Sequence, residues 1–246
     1  MHPNVDHDSE ASEPRAKSDD ISGLGGRHGE RSSATAYARA MTSPSPVQSI
    51  VTLDLEGVLV PEIWVAVADR TGIEALQRTT RDEPDYDVLM RYRLDLLAEH
   101  GLTLSVIDEV IGDLKPLPGA AEFLAELRTR TQVIILSDTF EQFAAPLMRQ
   151  LGWPAILCHR LVVANDRIVD YQLRMADPKR NAVEALQGLN YRVIAAGDSY
   201  NDTTMLLAAD AGFLFHAPEN VVAEFPQLPA LEEYDELLAA ITAQLS

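Results

Sequence analysis

Four short clusters in this 246-residue chain set reactive side chains beside apolar runs. In the first, Asp54-Leu55-Glu56-Gly57-Val58-Leu59, two carboxylates stand two residues apart. On an extended strand they project to one side, as a nucleophile beside an acid or base requires. The second, Ile135-Leu136-Ser137-Asp138-Thr139, runs an apolar strand into hydroxyls. The Ser137 hydroxyl and the free N–H groups of a following helix start can hold a phosphate. In the third, Asp177-Pro178-Lys179-Arg180, proline suits the first turn of a helix; a cation there opposes the macrodipole, so an anion is expected near Lys179. The fourth, Ala196-Gly197-Asp198-Ser199-Tyr200-Asn201-Asp202, carries two carboxylates four residues apart across a strand-to-helix turn. Such a pair can reach one hard cation through oxygen ligands, which suits Mg²⁺. Taken singly, each cluster has a plainer reading: a turn at Asp54–Gly57, an N-cap at Ser137 or Asp138, a surface Lys179, and a capped turn at Asp198–Asp202.

The clusters gain weight from the elements that must carry them. Apolar runs at Ile50–Leu55, Gln132–Leu136, Arg192–Ala196 and Gly212–Phe215 alternate with helical patterns. This predicts an α/β fold, a doubly wound and mostly parallel sheet with helices on both faces. In such sheets ligands bind at the carboxyl ends of the strands, where the clusters fall. Residues 61–114 read as helices without a convincing strand, Asp85–Glu99 being the clearest. A connection of that length predicts a helical cap inserted after the first strand, with 49–60 and 115–246 forming the core. Alternation from Leu161 to Leu173 around Asn165-Asp166 predicts an appended hairpin. Trp64, Leu127, Leu147 and Met148 sit in helical patterns and read as packing residues. Residues 1–48, rich in Ser, Asp, Glu, Gly and His, read as a disordered tail, with His2 and His7 solvated.

Composition narrows the function classes. Acidic residues outnumber basic ones 38 to 20, for a formal net charge of −18, so nucleic acid is not an expected partner. An anionic metabolite must instead be drawn in by a local cation or metal. The single cysteine, Cys158, has no partner for a disulfide and reads as a small buried hydrophobe in a reducing, cytoplasmic protein. No run approaches the roughly 18 apolar residues that span a bilayer, so no membrane association is expected.

Together the strand-end Asp54, the Ser137 hydroxyl, the Lys179 cation and the acidic pair Asp198 and Asp202 resemble the haloacid dehalogenase superfamily, over essentially everything from residue 50 onward. Within it the strings DLEGVLVPEIW, PDYDVLM, LKPLPGA, ILSDTF, PLMRQLG, DPKR, AAGDSYNDTTML and FHAPENV resemble the phosphoserine phosphatases, in particular the bacterial branch that also transfers phosphate to homoserine. The wider superfamily carries Asp at the second carboxylate; Glu56 matches that branch.

The resemblance implies an aspartyl-phosphate on Asp54 and Glu56 as acid and base. Ser137 and Lys179 would hold phosphoryl oxygens. Mg²⁺ would lie among Asp54, the backbone carbonyl of Glu56 and Asp198, with Asp202 close behind. It also implies Glu62 facing a substrate ammonium and Arg93 its carboxylate. Phosphoserine is the expected small-molecule substrate, homoserine a second acceptor, and a homodimer a further expectation. His159 and His216 are left as structural histidines. A phosphatase for another small phosphate, and a non-catalytic phosphate-binding protein, stay open as alternatives.

Overall fold

The computed structural model describes residues 47–80, 82, 83 and 85–245. The expected tail, with His2 and His7, therefore lies outside the described residues except for Val47 and Gln48, and Gln48 already opens the first strand. Seven strands form one sheet: β1 (Gln48–Leu53), β2 (Gln132–Phe140), β3 (Ala155–Ala164), β4 (Arg167–Gln172), β5 (Tyr191–Gly197), β6 (Ala211–Phe215) and β7 (Ala230–Leu231). Their order is β4-β3-β2-β1-β5-β6-β7; all pairs are parallel except β3–β4. This is the predicted doubly wound α/β sheet.

Strand periodicity divides the apolar side chains between two layers. On β5, Ile194 and Ala196 join Val51, Leu53 and Ile135 in the larger core cluster. Val193 and Ala195 face the other way, with Ile50, Leu136 and Leu214. The second layer is closed by Ala182 and Val183 of α6 (Pro178–Gly188), Met205 and Leu206 of α7 (Thr203–Ala208), and Val221 of α8 (Glu219–Glu224). The first is closed by α4 (Ala120–Arg130), α5 (Glu141–Gln150) and α9 (Tyr234–Gln244).

The long β1–β2 connection holds α1 (Ile63–Thr71), α2 (Tyr86–Glu99) and α3 (Leu104–Asp113), with a 3₁₀ turn at Glu74–Gln77. Asp85 caps α2 by accepting from the N–H groups of Asp87 and Val88. Trp64, Val67, Met90, Leu94, Leu97 and Ile107 from these helices share the larger cluster with the sheet.

The predicted hairpin is β3–β4, and Asn165 and Asp166 both have positive φ, as a tight turn with the strands' own twist requires. Its tip braces the insertion: the Asp166 carbonyl accepts from Leu104 N at 2.8 Å, and its carboxylate from Ser105 N and Oγ at 3.0 and 2.9 Å. Arg91 of α2 reaches Asp170 of β4 at 2.6 Å. Cys158 on β3 departs from expectation, being only partly buried; burial still pushes its thiol up to about 11. Leu127, Leu147 and Met148 pack in the core as expected. Among the described residues no helix is long and apolar enough to cross a membrane.

The β6–α7 contact allows no side chain at Gly212, where a Cβ would lie 2.3 Å from the Leu206 carbonyl oxygen. Backbone cannot swing aside as a flexible side chain can. Gly212→Ala should cost about 1–3 kcal/mol in urea unfolding; an unchanged midpoint would show that α7 is free to shift.

Candidate active site

The sheet brings the four clusters together because β1 lies between β2 and β5. Leu53, the last residue of β1, is level with Ile135 and Ala196, so the three parallel strands run toward one edge of the sheet. Asp54 follows at once, its N–H held by the Ala196 carbonyl at 3.0 Å. The two carboxylates of the first cluster do not share a strand face, since β1 ends at Leu53. A tight turn carries them instead: Gly57 N donates to Val60 O, and Leu59 and Val60 N donate to Leu55 O. Gly57 takes φ 78° there, and a Cβ on it would lie 2.5 Å from the Asp198 carboxyl carbon. Both Asp54 and Glu56 nevertheless line one cavity of about 470 Å³.

Ser137 also departs from expectation. β2 continues to Phe140 and α5 begins at Glu141, so no helix start follows the serine directly. The β2–β3 register slips between Leu136 and Phe140, freeing Ser137, Asp138 and Thr139 from regular pairing to face the cavity. Ser137 Oγ accepts from Thr139 N at 3.2 Å.

Lys179, near the start of α6, is 2% exposed, and its ammonium meets three carboxylates. Nζ lies 2.7 Å from Asp202 Oδ1, 3.0 Å from Asp54 Oδ1 and 3.5 Å from Asp138 Oδ2. Burial works against the charge, but Asp202 and then Asp54 raise its pKa well above the usual lysine value. Asp202 is fully buried; its Oδ2 accepts the N–H groups of Asp198 and Ser199 at 3.0 and 3.1 Å. Asp198 opens onto the cavity.

Oxygens of Asp54, Asp198 and Asp202 cluster within 4.8 Å of one another. With Asp138, 3.5 Å from Lys179 Nζ, the carboxylates gathered here outnumber that ammonium. Burial, then Asp202, raises Asp54 well above the ordinary carboxylate range, with Lys179 opposing. Buried, all-oxygen and in excess of its counter-charge, this set fits a hard divalent cation. The Glu56 carboxylate is not in the cluster: Oε2 accepts Ile63 N at 2.8 Å, at the first turn of α1. Burial, then Glu62, lifts it to about 7, while the Ile63 hydrogen bond opposes.

Glu62 and Arg93 line the same cavity. Arg93 is 6% exposed, with its guanidinium 4.7 Å from the Trp64 ring centroid. One Nη donates to Arg78 O at 2.9 Å, but Nε has no hydrogen-bond partner. Trp64, read as a packing residue, serves both core and cavity.

Sequence reasoning gave no site role to Asp138, an N-cap candidate, to His159, read as structural, or to Asn201 and Tyr86, all of which complete the wall. Asp138 Oδ2 accepts from Asn201 Nδ2 at 2.9 Å and Oδ1 lies 3.4 Å from His159 Nε2; Tyr86 OH donates to its carbonyl at 2.8 Å. Burial opposes the Asp138 charge, but Lys179, His159 and Asn201 hold its carboxyl well below the usual range. A carboxylate behind a strand-end serine was the available signal; His159 gave none, since its partner is distant in sequence. His216 is structural, its ring on Phe215 and its Nε2 2.7 Å from the Glu232 carbonyl.

Two outcomes follow from this charge balance. Lys179→Met leaves buried carboxylates unpaired and should lose roughly 3–5 kcal/mol in metal-free urea unfolding; a loss below about 1 kcal/mol would contradict the pairing described. Asp138 titrates lower in the folded than in the unfolded protein, so its contribution is complete above the unfolded value near pH 4 and fades as the pH falls further. The stability gap between wild type and Asp138→Asn should therefore be widest at neutral pH and close in acid.

Residues 48–210 match the haloacid dehalogenase-like hydrolase family. A phosphoserine phosphatase of Pseudomonas syringae pv. tomato is 66% identical over 189 residues, covering 76% of this chain and 80% of the relative. Phosphoserine phosphatase ThrH of Pseudomonas aeruginosa is also 66% identical over 189 residues, covering 76% and 92%. A solved phospho-aspartyl intermediate analogue of phosphoserine phosphatase superposes with TM-score 0.67 at 20% identity, over 79% of this chain and 99% of that one, a likeness of fold. The chain belongs to the haloacid dehalogenase-like hydrolases, in the branch of the phosphoserine phosphatases.

Proposed function

We propose that the protein hydrolyses phosphoserine through an aspartyl-phosphate and passes the same phosphoryl group to homoserine when that alcohol occupies the site. The observation that carries this reading is the convergence of Asp54, Glu56, Ser137, Lys179 and Arg93 on one cavity. Asp54 Oδ1 is held by Leu55 N at 2.7 Å and by Lys179, which leaves Oδ2 to attack phosphorus. As that bond forms, the ester P–O bond breaks and Glu56 gives its proton to the departing serine oxygen. Glu56 then takes the proton of the acceptor hydroxyl, whose oxygen attacks phosphorus and frees Asp54. Water yields inorganic phosphate; homoserine yields phosphohomoserine.

Ser137 and Lys179 hold phosphoryl oxygens during both steps. Asp54, the Glu56 backbone carbonyl and Asp198 would hold Mg²⁺, which when bound screens phosphoryl charge from the incoming carboxylate. Asp202 stands behind them, occupied by Lys179 and two N–H groups. The helical stretch 61–114 acts as a cap that orients the amino-acid end of the substrate. Glu62 faces the ammonium and Arg93 the carboxylate; the unpartnered Nε of Arg93 supports that assignment. The all-oxygen chemistry tolerates the reducing cytoplasm that the lone Cys158 favours.

The assay is phosphoserine with Mg²⁺, with and without homoserine, reading free phosphate and phosphohomoserine. Homoserine should divert phosphate into the ester, and chelation should stop both products. Asp54→Asn should lower turnover by about 10³-fold or more. Arg93→Ala should raise the KM for phosphoserine roughly 10- to 100-fold, with a far smaller effect on an aryl phosphate that has no carboxylate to pair. An unchanged KM in folded Arg93→Ala would remove the amino-acid assignment.

A further inference from the structure

We propose that Asp138 is a placeholder for the phosphoryl group: it occupies one donor direction of Lys179 until a phosphoryl oxygen displaces it, and retakes that direction as inorganic phosphate leaves. The inference rests on the phosphoryl-transfer reading above and concerns binding and release in the same cavity.

An ammonium has three N–H donors, and those of Lys179 face three carboxylates. To hold a phosphoryl oxygen it must give one up. Asp202 cannot yield, because its side chain is fully enclosed and its other oxygen is fixed by two backbone N–H groups. Asp54 is nearly as enclosed, at 6% side-chain exposure, and contacts Lys179 at 3.0 Å. Asp138 makes the longest contact, 3.5 Å, and its side chain is 25% exposed toward the cavity. It is the partner that a ligand entering from solvent meets first.

Asp138 also loses least when Lys179 turns away. Its Oδ2 keeps Asn201 Nδ2 at 2.9 Å, and its main chain stays tied to Tyr86 OH. Oδ1 faces His159 Nε2, and the tautomer follows from the ring's other side. Nδ1 accepts from Arg174 N at 3.2 Å, so Nε2 carries the hydrogen and donates to Asp138. His159 is itself 3% exposed and packed against Tyr86 and Phe140, so this donor is fixed in place. A carboxylate beside the phosphate subsite repels substrate and product alike. Its return to Lys179 opposes retention of the dianionic product.

Calorimetric titration of inorganic phosphate into the Mg²⁺-loaded full chain tests this. Asp138→Asn keeps the shape and removes the charge, so phosphate should bind about ten-fold more tightly, and its Ki against p-nitrophenyl phosphate should fall in step. Unchanged or weaker binding in a cooperatively melting Asp138→Asn protein overturns the proposal, since a mere brace for Lys179 would give that result. His159→Asn tests it from the opposite side and does not depend on how well Asp138→Asn folds. With its anchor gone Asp138 leans on Lys179, and phosphate should bind several-fold more weakly; equal or tighter binding overturns the proposal. A wild type that binds inorganic phosphate but leaves phosphoserine intact defeats the substrate assignment alone. One that binds no phosphate defeats both.

Discussion

A single desolvated ammonium set among buried carboxylates is the constraint around which the rest of this structure is arranged. Stripping water from a lysine costs several kcal/mol unless opposite charge and hydrogen bonds replace it. Asp202 and Asp54 supply that replacement at 2.7 and 3.0 Å. They come from opposite ends of the chain, and Lys179 from a third element, so the pairing can form only when β1, β5 and α6 are in register. Parallel pairing of β1 with both β2 and β5 provides the register, and the two apolar layers hold it. The charge cluster thus depends on the sheet, and in turn penalises any packing that would separate its members.

Carboxylates exceed ammonium in this cluster, and the excess gives the site its chemistry. A balanced pair would be inert; a surplus of buried oxygen favours a cation or a proton. Burial first, and then the neighbouring Asp202, raise the pKa of Asp54 and so add to that demand. Glu56 stands apart from the cluster because its carboxylate is drawn to the backbone N–H of Ile63. Separation keeps it from being absorbed as another ligand, and the elevation to about 7 places it where a proton can be both given and taken.

The sheet was legible in the sequence because buried parallel strands are short, apolar and punctuated by polar residues at their ends. Asp54, Ser137 and Asp198 all stand within or just after such runs, and strand order alone brings them together. What was illegible has physical causes. Asp54 and Glu56 share a cavity through a turn stabilised by Gly57, which strand parity does not describe. The slip in β2 pairing turns Ser137 and Asp138 inward without a helix cap, and no local pattern marks a register shift that depends on β3. Asp138 and His159 meet across neighbouring strands, and Tyr86 joins them from α2. Such contacts exist only in three dimensions. Trp64 was half legible: helical spacing identified its packing, and nothing in one sequence exposes its second face to the cavity.

The two carboxylates of the fourth cluster show how spacing on paper becomes a division of labour. Four residues apart, Asp198 and Asp202 look interchangeable as cation ligands. The turn between them makes them different: Asp202 folds back to accept the N–H groups of Asp198 and Ser199, and spends its remaining oxygen on Lys179. A Cβ at Gly197 would lie 2.4 Å from the Asp202 carboxyl carbon, so the main chain must be bare there for this return to occur. Asp202 therefore fixes the loop and the lysine, while Asp198, steered by Asp202 through its own N–H and given room by the bare Gly57, faces the cavity. Asp54 and Asp198 are therefore the carboxylates that would hold a cation, because Asp202 is already committed to the loop and to Lys179.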